Sequence, residues 1–125
     1  MKTICALIIS VLIICSPAGA ARAPYPDSDP TPKGRKIIES TWPSHLVKAA
    51  LNVAWCESRM RGDAVSPTGT YKGLFQMGPK EFAANRHPDH PDIFDRKANS
   101  IAAYNLYLDR GWQPWSCRPC WSCKP

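Results

Sequence analysis

The sequence lacks a cluster of positive charge, an internal repeat and, beyond its first twenty residues, any long apolar run. The formal net charge of +6 is spread along 125 residues, whereas nucleic-acid-binding proteins gather lysine and arginine into a patch or stripe. We therefore expect no nucleic-acid partner, although a modest basic excess suits the surface of an anionic polymer. The length allows one small domain.

Residues 1–20, "MKTICALIISVLIICSPAGA", have the pattern of a secretory signal peptide. Lys2 supplies the positive start, residues 4–15 are almost wholly apolar, and Ala18-Gly19-Ala20 forms a small-residue cleavage site. The apolar run is short for a membrane span. We predict a secreted or cell-wall-associated protein without stable membrane insertion after cleavage; an uncleaved anchor is the alternative.

Cysteine usage agrees with export. Loss of the first twenty residues leaves Cys56, Cys117, Cys120 and Cys123, and disulfides are the usual state of cysteines in an oxidising compartment. Four cysteines allow three pairings; we favour Cys56 with Cys117. Closing a loop of about 60 residues stabilises a fold by roughly 4 kcal/mol, which matters for so small a core.

The remaining pair, Cys120 and Cys123, lies in a "CWSC" stretch. It could close on itself, join two chains or be redox-active. A zinc site made from three cysteines and His87 or His90 is disfavoured, because turn-forming residues separate these histidines. We predict no metal and no cofactor.

Proline content and periodicity divide the rest of the chain. Residues 21–36 are predicted to be a flexible Pro-rich linker, residues 37–117 the folded domain, and residues 118–125 a Cys/Trp-rich tail. In the domain, a helix is predicted from Pro43 and Ser44 to about Arg59, and a short one from Pro79 to about Asn85.

A third helix is predicted between an Asp95 N-cap and a stop at Gly111. Its core-facing residues are expected to be Ala98, Ile101, Ala102 and Leu108. The segment "GDAVSPTGTYKGLFQM", broken by proline and glycine, predicts a small irregular hairpin. The predicted fold class is therefore α+β, mostly helical, with this hairpin between the first two of these helices and next to the one that ends near Arg59.

Glu57 continues an apolar helical face formed by Leu46, Ala50 and Val53. A carboxylate there needs a partner or a function, because burying it alone is costly. The simple interpretation is an ion pair with Arg59 or Arg61. The functional one is a general acid, since an apolar setting raises the pKa of a carboxyl group towards neutrality.

The ordered series "ES", "AVSPTG", "GLFQM", "AAYNLY" and "GWQPW" resembles the lysozyme-like fold of lytic transglycosylases. It is most similar to small secreted forms related to bacterial resuscitation-promoting factors, over residues 37–117. The resemblance implies a peptidoglycan-cleaving glycosidase that acts on the β-1,4 bond between N-acetylmuramic acid and N-acetylglucosamine. We accordingly expect peptidoglycan glycan strands as the partner of a monomeric protein.

The same resemblance implies site residues. Glu57 takes the place of the catalytic acid, and Ser66 and Gln76 take places that contact the sugar or hold the acid. Tyr104 matches an aromatic hydroxyl on a later helix, with Tyr107 one turn further on as the alternative. Phe75 and Trp112 are expected as aromatic walls of the groove.

Hydrolytic glycosidases usually need two carboxylates, and the candidates for a second are Asp63, Glu81, Asp92 and Asp95, none of which is distinguished by the sequence. Lytic transglycosylases, which the chain resembles, use one Glu as acid and then as base and form a 1,6-anhydro product. We therefore prefer transglycosylation over a hydrolytic lysozyme (muramidase).

Three rival functions are a non-catalytic wall-binding module, a Trp-rich membrane-active protein and a redox protein using "CWSC". The joint presence of Glu57, Ser66 and Gln76 argues against the first, because a binder needs no acid. Pro114 and Pro119 interrupt the Trp-rich segment, so that it cannot form an amphipathic helix. The redox function would require a cysteine thiol of "CWSC" with a low pKa.

Overall fold

A computed structural model describes residues 24–117, which fold mostly into helices. The four helices are α1 (Pro32–Thr41), α2 (Ser44–Ser58), α3 (Pro79–Asn85) and α4 (Arg96–Arg110). Helix α4 packs against both α1 and α3, and α1 also packs against α2. Over the described range, none of the helices combines the length and apolar character needed to span a bilayer. The predicted signal peptide and the tail at 118–125 lie outside this range.

Three predicted helices are confirmed, and local signals explain their ends. Pro79 occupies the first turn of α3, where its missing N–H leaves no hydrogen bond unmade. The side chain of Asp95 accepts a hydrogen bond from the Ala98 N–H at 2.7 Å and so caps α4. Gly111, with a φ of 59°, ends the same helix.

The predicted linker over residues 21–36 is wrong in its described part. The folded domain was expected to begin near Ile37, whereas helix α1, which was not predicted, already begins at Pro32. Before it, Tyr25 is only 8% exposed and packs edge-on against Trp55 at 5.7 Å between ring centroids. The Tyr25 N–H also donates to the side chain of Asn52 at 2.8 Å. The prolines hid this order because they remove helical periodicity without preventing a segment from packing on α2.

A small polar network holds the start of α1. The Tyr25 hydroxyl donates to the Asp29 carboxylate, which lies 3.2 Å from Nε of Arg35. The hydrogen bond from Tyr25, followed by those from the Thr31 N–H and Arg35, lowers the pKa of Asp29 despite some opposing desolvation. This network connects the N-terminal segment to α1 at neutral pH.

Trp42, between α1 and α2, is the centre of an aromatic cluster. Its ring is 3% exposed and stacks on Phe75 and Trp112, each at 5.4 Å. Tyr104 and Tyr107 pack on it at 5.1 and 5.5 Å. The indole N–H donates to Ser100 at 3.1 Å, so the buried polar atom is satisfied. This cluster joins α1 and α4 to the loop before α3.

The core-facing side of α4 differs in part from the prediction. Ala98 and Ala102 are fully buried as expected, whereas Leu108 is 64% exposed and Leu106 takes its place in the core; Ile101 is half-buried. At 100° per residue, Leu108 points about 200° away from Leu106, so the two cannot share one face. The prediction for Leu108 is wrong because the buried face follows positions 98, 102 and 106.

The hairpin region forms a looped segment with two isolated antiparallel bridges, Val65 with Lys72 and Lys72 with Met77. Asn99 on α4 is fully buried and stabilises this loop through hydrogen bonds. Its Oδ1 accepts from the Phe75 N–H at 2.8 Å, and its Nδ2 donates to the carbonyls of Lys72 at 3.1 Å and Ile93 at 2.9 Å. One side chain thereby satisfies backbone groups from two loops.

Gly73 shows how closely this loop packs. Its φ is +80°, and a Cβ there would lie 2.3 Å from Asn99 Nδ2 and 2.5 Å from the Ile93 carbonyl oxygen. We expect Gly73→Ala to lower the free energy of unfolding by about 3 kcal/mol or more, measured by urea denaturation. Gly69→Ala is the matched control, because its φ is +75° but nothing lies within 4 Å; it should cost about 1 kcal/mol. Equal losses would contradict the steric explanation.

Candidate functional site

Glu57 lies in the last turn of α2 and is half-buried. Its Oε1 accepts a hydrogen bond from the Cys117 backbone N–H at 3.1 Å, and the Ser116 hydroxyl donates to the same oxygen at 3.3 Å. The C-terminal segment of the described chain therefore holds the carboxylate in place. The simple interpretation, an ion pair of Glu57 with Arg59 or Arg61, is not what the structure shows. Arg61 pairs with Asp63, and the guanidinium of Arg59 lies over the Trp55 ring.

The predicted disulfide between Cys56 and Cys117 is confirmed, with Cα atoms 5.9 Å apart. It joins the residue before Glu57 to the residue whose N–H contacts Glu57. The disulfide closes a loop between two cysteines that are 61 residues apart in the sequence. Cys120 and Cys123, and with them the other predicted uses of "CWSC", lie outside the described residues.

Glu57 lines a groove made of three adjoining cavities that share Tyr71 and Gln76. The central cavity, of about 160 Å³, contains Glu57, Ser116 and Trp115. A basic arm of about 420 Å³ extends from it past Ser66 to Arg59 and Arg61. A mixed arm of about 220 Å³ extends the other way to Glu81 and Arg110. We call these three cavities the Glu57 groove.

Ser66 and Gln76, both predicted for the site, line the groove and also shape its loop. Ser66 Oγ accepts from the Tyr71 N–H at 3.0 Å. The Gln76 side chain donates to the carbonyls of Ala64 at 3.1 Å and Gly73 at 3.0 Å, while its own φ is 49°. Both side chains thus stabilise the turn that stands opposite Glu57.

Three predicted contact residues lie elsewhere. Phe75 is 0% exposed, so it cannot be a groove wall. Trp112 stacks on Trp42 with an interplanar angle of 4°, and Tyr104 packs on the same ring; neither lines the Glu57 groove. The placement of Phe75 as a wall is therefore wrong, because its ring is buried in the core, whereas Trp112 is half-buried and lies outside the three cavities.

Two aromatic residues that the sequence reasoning missed line the groove: Tyr71 with an exposed side chain, and Trp115 with one that is almost fully buried. Tyr71 is 51% exposed and lines all three cavities. Trp115 lines two of them and donates its indole N–H to the Phe75 carbonyl at 2.9 Å. A signal for Trp115 was present, since it precedes by two residues the cysteine predicted to bond beside Glu57.

The four candidates for a second carboxylate occupy different surroundings. Asp63 is exposed and paired with Arg61, Asp92 accepts from the Phe94 N–H, and Asp95 caps α4. Glu81 alone of these four lines the Glu57 groove. Within residues 24–117, no three His, Cys, Asp or Glu side chains gather into a group able to hold a metal ion.

A larger cavity, of about 600 Å³, lies between the Tyr25 segment and the first turns of α2. Its lining residues on α2 run from Ser44 to Asn52, so its near end is about 7.5 Å along the helix from Glu57, and none of its lining residues is shared with the Glu57 groove. Its charged lining residues include Arg35, which is paired with Asp29 and Glu39. Size favours this cavity, but the Glu57 groove has the half-buried carboxylate, and we take the groove as the candidate site.

Comparison of the chain with protein-family models, with curated protein sequences and with solved structures finds no match in any of the three.

Proposed function

We propose that this protein is a secreted peptidoglycan-cleaving glycosidase with a lysozyme-like fold, and that it acts as a lytic transglycosylase on the β-1,4 bond between N-acetylmuramic acid and N-acetylglucosamine. The observation that carries the proposal is Glu57, a half-buried carboxylate fixed by Ser116 and Cys117 in a groove open at both arms. A groove suits a polymer, because the glycan can enter on one side of the acid and leave on the other.

The chemistry assigned to Glu57 is proton transfer. A protonated carboxyl at this place would deliver a proton to the glycosidic oxygen of the leaving sugar, and the resulting carboxylate would then remove the proton of the C6 hydroxyl. That hydroxyl closes the 1,6-anhydro ring, so no water is consumed. Ser66 and Gln76 hold the loop opposite the acid, and Tyr71 offers an exposed ring to a sugar face.

The location outside the cell is supported by the Cys56–Cys117 disulfide, because such bonds persist in oxidising compartments. The expected partner is the glycan strand itself.

Product analysis tests the reaction. The oxidised protein would be incubated with purified peptidoglycan, and the soluble muropeptides would be analysed by mass spectrometry. We expect muropeptides ending in 1,6-anhydro-muramic acid. Binding to the wall without any released product would instead indicate a wall-binding module.

A hydrolytic lysozyme is the second candidate, and the position of Glu81 in the mixed arm favours it. Hydrolysis would use Glu81 as the base or nucleophile and would give reducing ends that contain one added water. We expect Glu81→Gln to retain cleavage within about threefold of the unchanged protein, since transglycosylation needs one carboxylate. A loss of roughly 10²-fold or more, with hydrolytic products from the unchanged protein, would establish the two-carboxylate mechanism instead.

Tyr71 should contribute to substrate binding. We expect Tyr71→Ala to raise KM by about fivefold to tenfold, the effect of losing one aromatic contact, while Tyr71→Phe stays within about twofold. Kinetics on soluble glycan chains would measure both. Leu108→Ala is the control, because Leu108 is also exposed but lies outside the groove; an equal effect there would contradict a specific role for Tyr71.

A further inference from the structure

The C-terminal contact on Glu57 is held by a covalent bond whose state can change. Cys117 supplies both a sulfur to the Cys56 disulfide and an N–H to Glu57 at 3.1 Å. The neighbouring Ser116 donates to the same carboxylate oxygen but is itself exposed. The position of Cys117 therefore contributes to the orientation of the candidate acid.

The segment just before this contact is anchored independently of the disulfide. Trp115 is 4% exposed, donates to the Phe75 carbonyl at 2.9 Å and packs against Phe75 and Trp112 at 6.3 and 5.7 Å. Opening the disulfide would thus leave the anchor at Trp115 in place and remove the covalent restraint on Cys117 and, next to it, on Ser116. The expected change is local to the groove.

We propose that the Cys56–Cys117 disulfide is a redox latch, in which Ser116 and Cys117 act as positioning residues for Glu57 and reduction lowers turnover by releasing them. This inference concerns the regulation of the site and rests on the proposed function. The protein is then weakly active as a dithiol in a reducing compartment and gains full activity after oxidation outside it.

The step is a thiol–disulfide exchange with a dithiol as reductant. A thiolate of the reductant attacks one protein sulfur, forming a mixed disulfide and releasing the other protein sulfur as a thiolate. The second thiolate of the reductant then displaces the protein. Two electrons pass to the protein, both cysteines end as thiols after taking up protons, and the reductant leaves as its own disulfide.

Kinetics would compare the oxidised protein, the same protein reduced with dithiothreitol, and the double variant Cys56→Ser/Cys117→Ser on soluble glycan chains. Reduction and the double variant should each lower kcat by about tenfold or more, as expected for losing a hydrogen bond to a charged group, with KM within about twofold. Because loss of the disulfide also lowers the melting temperature, circular dichroism must show folded protein at the assay temperature. Unchanged kcat in folded, reduced protein would overturn the latch.

A second variant keeps the disulfide and hence the fold. Ser116→Ala removes one donor to Glu57 and should lower kcat by about twofold to fivefold with an unchanged melting temperature, whereas Ser116→Thr, which keeps the hydroxyl, should retain kcat. A kcat equal to that of the unchanged protein in both variants would contradict the positioning role of Ser116.

Nuclear magnetic resonance separates this proposal from the proposed function, because it needs no substrate. In the oxidised protein, the amide signal of Cys117 should move on Glu57→Gln, and reduction should move it further towards the position of an amide exposed to water. A Cys117 signal indifferent to Glu57→Gln would overturn the latch even if cleavage is observed. If the Cys117 amide signal responds to Glu57→Gln and to reduction but the protein releases no glycan product, the contact between Cys117 and Glu57 is upheld and the glycosidase function is rejected.

Discussion

Glu57→Gln is expected to lower the rate of peptidoglycan cleavage by roughly 10²–10⁴-fold, the usual contribution of a general acid. Glutamine has the shape of glutamate but cannot release a proton. Its side-chain carbonyl can still accept from the Cys117 N–H and from Ser116, the contacts that hold Glu57. The loss should therefore appear in kcat, while the free energy of unfolding changes by less than about 1 kcal/mol.

Release of soluble muropeptides and urea denaturation would measure the two quantities on the same preparations. Glu39→Gln is the matched control, because Glu39 is an exposed glutamate of α1 paired with Arg35 and lies outside the Glu57 groove. It should keep full activity. Substantial cleavage by Glu57→Gln would reject Glu57 as the acid, and a large loss of stability in that variant would mean that the carboxylate is chiefly structural.

Asn99→Ala is expected to lower the free energy of unfolding by about 3–5 kcal/mol. The side chain is fully buried and makes hydrogen bonds to the backbone of Phe75, Lys72 and Ile93. Alanine would leave three buried backbone groups without these partners and would open a small void. The groove loop depends on the same contacts, so glycan cleavage should fall together with stability.

Asn105→Ala provides the comparison within α4. Asn105 is exposed and donates to one backbone carbonyl, that of Asn85, at 2.8 Å. Both variants replace asparagine by alanine in the interior of α4, so the gain in helix propensity is the same in each and does not affect the comparison of their stabilities. Asn105→Ala should cost less than about 1 kcal/mol. Similar values from urea denaturation of the two variants would show that the buried network around Asn99 contributes little.

The helices were predictable because their ends depend on neighbouring residues. Pro79, Asp95 and Gly111 each act through backbone geometry or a hydrogen bond within one turn, and such signals can be read from a short stretch of sequence. Helix α1 was not predicted. The order of Tyr25 before it was also missed, because that order comes from Trp55 and Asn52 and not from neighbouring residues.

The candidate site divides in a similar way. Glu57, Ser66 and Gln76 could be selected from the order of the motifs, and the structure brings all three to one groove. Aromatic residues could be counted but not placed. Phe75 and Trp112 were expected at the groove and lie around Trp42, while Tyr71, which was not selected, lines every part of it.

The sequence by itself determined the helical class and the approximate ends of three helices, and it favoured Cys117 as the partner of Cys56. Local capping accounts for the helix ends, and the cysteine pattern made the pairing one of three possibilities. Only the tertiary structure decided which aromatic rings are buried and how Glu57 is held. Those outcomes depend on contacts between residues far apart in the sequence, such as Trp42 with Ser100 and Glu57 with Cys117, which are separated by 58 and 60 residues. The exposure of an aromatic ring is set by the side chains that pack against it, and these come from distant parts of the chain.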